Sequence, residues 1–272
     1  MPKRRHGRNL LKGARVYLSG PMDFVASRAN ERAYGWRNRV GQVLRHYGAT
    51  VFDPWFKPLV KGFEAYGYED EKSVGIRQRW TFAPGVEGAT GRALCAAEFG
   101  ETQHIDLRMV DLSDLIIAYC PTNLYSVGTP HEIVMARLER KPVLFVSPPV
   151  FLDAFEELKR AVKDRPKLVK LVQRVEQEVP IKPNPRGLPS LWYMKLVGSE
   201  NFFDGFGFSR YMDQFNWKRN VADKREARQA LRRPLLPFLE RVAQGHFPKR
   251  WDAGVRKFVR DDDWLVLDLK SR

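Results

Sequence analysis

Cysteine is nearly absent: the chain has two, Cys95 and Cys120, in 272 residues. Two isolated thiols give neither a disulfide framework nor a paired-cysteine zinc motif. Histidine is sparse as well. The five, at positions 6, 46, 104, 131 and 246, show no HExxH motif and no paired spacing, so no bound metal and no other cofactor is expected. No apolar run approaches the ~20 residues that a membrane helix needs. The N-terminal stretch MPKRRHGRNLLKGAR is basic, but neither an apolar segment nor a small-residue cleavage site follows it. There is no internal repeat. Together these gaps exclude a disulfide scaffold and argue against a metalloenzyme or a membrane partner; the expectation is a cytoplasmic protein.

What is present is enough to build a core. Hydrophobic residues make up 43% of the chain and aromatics 12%, which suits one large domain or two modest ones. The net charge of +15 favours phosphate, on a nucleotide or along a nucleic acid. That charge is divided between an N-terminal arm (residues 1–13) and the C-terminal third, and no single helix reads as groove-binding. Nucleic acid is therefore a possible partner but not the favoured one, and a solvated basic surface is the alternative.

Hydrophobic patterning gives an order of elements. Arg15 to Ser19 is a β-favouring run halted by Gly20-Pro21; residues 29–47 have helical spacing at Ala33, Trp36, Val40, Val43 and Leu44, and Ala49 to Phe52 is a second strand closed by Asp53-Pro54. Strand, helix and strand in about 40 residues make a right-handed βαβ unit. Residues 55–88 read as a long loop or lid. Helices are predicted from about Gly91 to Phe99 and from Thr102 to Leu112, then a buried strand from Leu115 to Tyr119, a helix from His131 to Arg140 and a strand from Pro142 to Val146. The fold class is thus α/β: a Rossmann-like (flavodoxin-like) doubly wound parallel sheet over residues 14–150. Residues 151–272 form an α-rich C-terminal extension or subdomain, which includes one or two helices over 151–178, a basic helix near 222–244 and a strand candidate at Trp264 to Leu269.

In such a sheet, ligands bind at the carboxyl ends of the strands. Three loops leave in that direction, at Gly20 to Phe24, Asp53 to Phe56 and Cys120 to Gly128, and the third runs into the helix carrying Glu132. Thr129-Pro130-His131-Glu132 is also a capping box, with Thr129 at the N-cap and Glu132 at its third helical position. Locally, Glu132 is either a cap or a functional carboxylate held ionised by the helix dipole. Asp106 reads locally as an exposed helical acid and Tyr17 as a core strand tyrosine. Asp111 and Asp114 read as surface or strand-edge residues.

These residues resemble a known family. Val16-Tyr-Leu-Ser-Gly-Pro-Met22, Asp106 with Ser113-Asp114 before an apolar strand, and Ser126-x-Gly128-x-x-x-Glu132 look like the nucleoside 2-deoxyribosyltransferase superfamily, which includes the 2′-deoxynucleoside 5′-monophosphate N-glycosidases. The resemblance covers about residues 14–147. It implies that Glu132 is the nucleophile, Asp106 the proton donor to the leaving base and Tyr17 a catalytic neighbour. It also implies that Ser19, Gly20, Pro21, Met22, Asp23, Asn123, Ser126 and Gly128 line the substrate. Transferases of the family carry an acid where Ser126 stands; serine there resembles the monophosphate N-glycosidase branch. That branch holds phosphate with a Gly-Ser-x-Arg loop, here Gly20-Pro21-Met22-Asp23, so Arg28, Arg37 or a neighbouring subunit has to supply the cation. Family members complete the pocket across a homodimer or higher homo-oligomer, a role open to Phe202 to Tyr211. The expected substrate is a nucleotide or nucleoside, with hydrolysis or base exchange as the reaction. The reading from another class is a non-catalytic nucleotide sensor or nucleic-acid-binding protein.

Overall fold

The computed structural model describes residues 9–22, 28–56, 75–76, 78–121, 126–139, 141–147, 153–178, 202–203, 239–240, 243, 249–252 and 254–260. Strand β1 (Arg15–Ser19) is followed by helices α1 (Arg28–Tyr34) and α2 (Trp36–His46), strand β2 (Thr50–Phe52), helix α3 (Gly85–Leu112) and strand β3 (Leu115–Tyr119). Helix α4 (Gly128–Leu138), strand β4 (Val143–Val146), helices α5 (Asp153–Val162) and α6 (Pro166–Glu178), and strands β5 (Phe202–Phe203), β6 (Lys249–Asp252) and β7 (Lys257–Arg260) complete the order.

Among the described residues, five strands form a sheet in the order β2-β1-β3-β4-β5, all pairs parallel. This is the flavodoxin-like doubly wound order, with its switch point between β1 and β3. Alternate side chains feed two cores. Val16, Leu18, Leu115, Ile117 and Tyr119 pack with Trp36, Val40 and Leu44 of α2. On the other face Tyr17, Ile116, Ala118 and Phe145 pack with Met109 and Val110 of α3 and Ile133 of α4. The near-continuous apolar composition of β3 follows, because both its faces are covered. Two features lie beyond residue 150 yet belong to this body: β5 extends the sheet through Phe145↔Phe202 and Val146↔Phe203, and Leu239 and Ala243 join the α2 core. Phe202 and Phe203 therefore sit in the sheet of their own chain. The remainder of the aromatic stretch, most of the basic helix and the strand candidate at Trp264 to Leu269 lie outside the described residues.

Three expectations need correction. The helix expected over 29–47 is two helices broken at Gly35, whose N–H reaches the Glu31 carbonyl at 2.8 Å. A Cβ at Gly35 would collide with the Glu31 backbone and carboxylate, so the break depends on glycine and leaves Glu31 folded beneath it. The two helices expected at 91–99 and 102–112 are one, starting at Gly85. Gly100, which lies between the two expected helices, costs about 1 kcal/mol inside a helix, less than the burial of Thr102, Ile105, Met109 and Val110 recovers. The loop expected at 55–88 accordingly ends at Gly85, and residues 57–74 lie outside the described set.

Asp114 is not a surface residue. It is buried and accepts from the Arg15 backbone N–H at 2.8 Å and from the Arg15 guanidinium at 2.8 and 3.2 Å, locking the start of β3 to β1. Asp114→Ala leaves those donors without a carboxylate. Because Arg15 is 30% exposed, water recovers part of the loss, and we expect a decrease of about 2 kcal/mol rather than the full cost of a broken buried pair, read as a lower urea midpoint at unchanged slope. A change within about 0.5 kcal/mol, ordinary for a surface site, would show the lock to be ornamental.

Candidate active site

Glu132 is the fifth residue of α4, just past its first turn and near the carboxyl edge of the sheet, and it does not cap its helix. The helix begins at Gly128 with Val127 at the N-cap, and no side chain bonds the cap. The capping box fails because Thr129 is buried, with its hydroxyl accepting from Ser126 Oγ at 2.8 Å. The carboxylate of Glu132 instead turns to β1. Its Oε1 accepts from the Tyr17 hydroxyl at 2.7 Å, and its Oε2 is hydrogen-bonded to the Ser19 hydroxyl. Successive residues of a strand point to opposite faces, so Tyr17 and Ser19, two apart, reach the same side. The parallel pairing of β1 with β3, and α4 following β3, brings that side against Glu132.

The electrostatics fix the protons. Burial pushes the Tyr17 hydroxyl well above its ordinary value, and the charges of Glu132 and then Asp106 push it further, with Arg37 opposing. Tyr17 is thus a phenol donating to a carboxylate. Asp106 stands on α3 one turn before Met109 and Val110, which pack beside Tyr17, so its charge reaches the same group from the other helix. Cys120, the first residue after β3, is buried, and its thiol is pushed up by burial and by the charge of Glu132. It remains a thiol beside the carboxylate and is no rival nucleophile.

Of the substrate-lining residues expected from the sequence, Ser19, Gly20, Pro21 and Met22 continue from β1, and Ser126 and Gly128 precede Glu132. Asp23 and Asn123 lie outside the described residues. The loop after β1 is tightly seated: a Cβ on Gly20 would come within 2.8 Å of Trp36 Cζ2 and 3.1 Å of the Tyr119 carbonyl. Arg37, expected as a source of positive charge for phosphate, is engaged elsewhere. It is buried, and its guanidinium donates to the carbonyls of Leu18 (3.0 Å), Gly20 (2.6 Å) and Pro21 (3.3 Å). Behind it lie Glu31, at 3.7 Å from Nη1, and Asp53, whose Oδ1 accepts from the Trp55 N–H at 2.9 Å. Burial raises the carboxyls of Glu31, to about 7, and of Asp53, in both cases against the pull of Arg37.

The sequence reading missed Cys120 and the engagement of Arg37. Signals for both existed. Cys120 follows a strand end that the fold assigns to the ligand crevice, and Arg37 precedes Val40 and Leu44 by three and seven residues on the apolar stripe of α2. An arginine on a buried stripe has to find acceptors. Among the described residues there is no group of three or more His, Cys, Asp and Glu side chains that could hold a metal ion, and no helix is long and apolar enough to cross a membrane.

No protein-family model matches the chain, and no curated protein matches it. Among solved structures it is similar to the 2-deoxyribosyltransferase of the psychrotolerant bacterium Bacillus psychrosaccharolyticus, an enzyme characterised as a biocatalyst for nucleoside synthesis. The identity is 21%, over 50% of this chain and 73% of that one, with a TM-score of 0.27. The flavodoxin-like assignment rests on the sheet order and not on this similarity.

Proposed function

We propose that the protein cleaves the N-glycosidic bond of a nucleoside or nucleoside 5′-monophosphate through a covalent glycosyl-Glu132 intermediate. The observation that carries this reading is the orientation of Glu132: its carboxylate leaves its own helix end and is held by two hydroxyl donors at the ligand edge of the sheet. Such donors lower the basicity of a carboxylate and aim it without neutralising it.

In the first step a Glu132 oxygen forms a bond to C1′ while the C1′–N bond breaks, its electron pair leaving on the base nitrogen. Asp106 gives that nitrogen a proton, directly or through water. In the second step water or another base attacks C1′, the C1′–Glu132 ester bond breaks, and the incoming group returns its proton to Asp106. This is the two-carboxylate logic of retaining glycosidases. Water as acceptor gives hydrolysis; a base gives exchange. Because Arg37 is spent on carbonyls, a 5′-phosphate would take its cation from another group, and the residues expected to approach substrate from the β1 side are Gly20, Pro21 and Met22.

The test is incubation with a panel of nucleosides and their 5′-monophosphates, with and without an acceptor base, followed by chromatography for free base. Release or exchange is expected from at least one; no base from any of them sinks the proposal. A narrower prediction concerns Tyr17→Phe, which removes one donor to a charged acceptor and should lower kcat about ten- to hundredfold, with KM little changed. An unaltered kcat would make Tyr17 a packing residue only.

A further inference from the structure

Strand β2 is short. Its pairing with β1 ends at Tyr17↔Phe52, so on that side the chain runs on past its neighbour through Leu18 and Ser19 of β1 and then Gly20 and Pro21. On the other side Ser19 is still held, paired with Ala118. The carbonyls of Leu18, Gly20 and Pro21 are met by Arg37, whose three nitrogens donate to them in turn. A single guanidinium therefore stands where the next residues of β2 would have stood. Two of the carbonyls it meets, those of Leu18 and Gly20, bracket Ser19, the residue whose hydroxyl is on Glu132 Oε2.

From this we infer that Arg37 is a positioning residue for Glu132: by gripping the carbonyls of the residues on either side of Ser19 it holds the Ser19 hydroxyl against the carboxylate. Arginine suits the task because its rigid fork presents donors in fixed directions, whereas a lysine ammonium is a point charge on a flexible stem. Glu31, 3.7 Å from Nη1, and Asp53 offset part of the guanidinium charge when they are ionised, which helps it stay buried beside the site. Gly20 is packed between Trp36 and the Arg37 Nη2, with room for a Cβ only if one of them moves. The loop is thus clamped from both sides.

This inference rests on the proposed reaction for its kinetic arm, and the test keeps the two separable. Arg37→Lys keeps the buried positive charge that Glu31 and Asp53 require but loses the fork. It should lower kcat roughly ten- to hundredfold, the scale of a misplacement of about 1 Å at a reacting group, with KM nearly constant. In a Ser19→Ala background the same change should cost less than about twofold, because residues acting through one contact are not additive. Equal losses in both backgrounds overturn the inference, since Arg37 would then act on the fold at large. If the wild-type protein releases no base, the reaction is wrong, and the positioning role is decided by the crystal structure of Arg37→Lys. There Ser19 Oγ is expected beyond hydrogen-bond distance of Glu132; finding it still bonded overturns the role.

Discussion

Glu132→Gln is expected to reduce base release by about 10⁴-fold or more, the scale on which loss of a covalent nucleophile falls. The amide keeps the size of the side chain and still accepts a hydrogen bond from Tyr17 or Ser19, so the fold should survive; what is lost is the anionic oxygen that bonds to C1′. The check is single-turnover base release on the substrate identified from the nucleoside and nucleotide panel, with the urea midpoint measured alongside. Mass spectrometry adds a second reading: a slow or 2′-fluorinated substrate should leave a glycosyl adduct on wild-type protein and none on the variant. A variant that releases base within about tenfold of wild type, a difference worth only about 1.4 kcal/mol of barrier, removes Glu132 from the chemistry even if the protein proves to be a glycosidase.

The second large effect concerns stability and pH. Glu31 has an ordinary value of 4.5 and is raised to about 7 in the folded chain, first by burial and then by the charge of Asp53, with Arg37 pulling the other way. The groups around it are Arg37 on α2 and Asp53 after β2, and Asp53 is itself raised by burial against the pull of Arg37, Arg45 and Arg32. Between those two values the folded protein holds a proton that the unfolded chain has released. The stabilisation is therefore complete below pH 4.5 and is lost as pH rises through 7. The shift corresponds to roughly 3 kcal/mol. Glu31→Gln, which cannot ionise, should remove this slope: more stable than wild type by roughly that amount at pH 8, and no more stable at pH 4.5. Urea unfolding of both proteins across this range decides it. Parallel curves would mean that Glu31 titrates normally and that its burial costs nothing.

The parts of the fold that were legible in the sequence are those governed by short-range pattern. The strands Arg15–Ser19 and Leu115–Tyr119 stand where apolar runs are cut by Gly20-Pro21 and Cys120-Pro121, because strand length and turn residues are local properties. The parallel order follows from the βαβ spacing. What pattern could not give is where two helices meet or part. Gly35 and Gly100 are the same residue type at helical positions; one breaks the chain and the other does not. The difference lies in the Glu31 carboxylate under Gly35 and the buried Thr102 after Gly100, both tertiary facts. The same holds for the site. The resemblance to a known family brought Asp106, Glu132 and Tyr17 to attention, but the capping box at Thr129 fails only because Ser126 and burial claim that hydroxyl. Asp114 looked peripheral because its partner, Arg15, is 99 positions away.

Helix α3 has one more consequence. At 1.5 Å per residue its 28 residues span about 42 Å, while a five-residue strand covers roughly 17 Å. The helix overshoots the sheet. Its second half, carrying Asp106, is packed through Ile105, Met109 and Val110, and Lys141 donates to the carbonyls of Val110 and Asp111 at its end. Its first half keeps Val86 and Leu94 largely exposed and bonds to residues 76–83, through Arg92 to the Thr81 and Ala83 carbonyls and Cys95 to the Ile76 carbonyl. We therefore expect hydrogen exchange to divide this one helix: amides of the front half exchanging by local opening, and those of the turn that bears Asp106 exchanging only when the sheet itself comes apart.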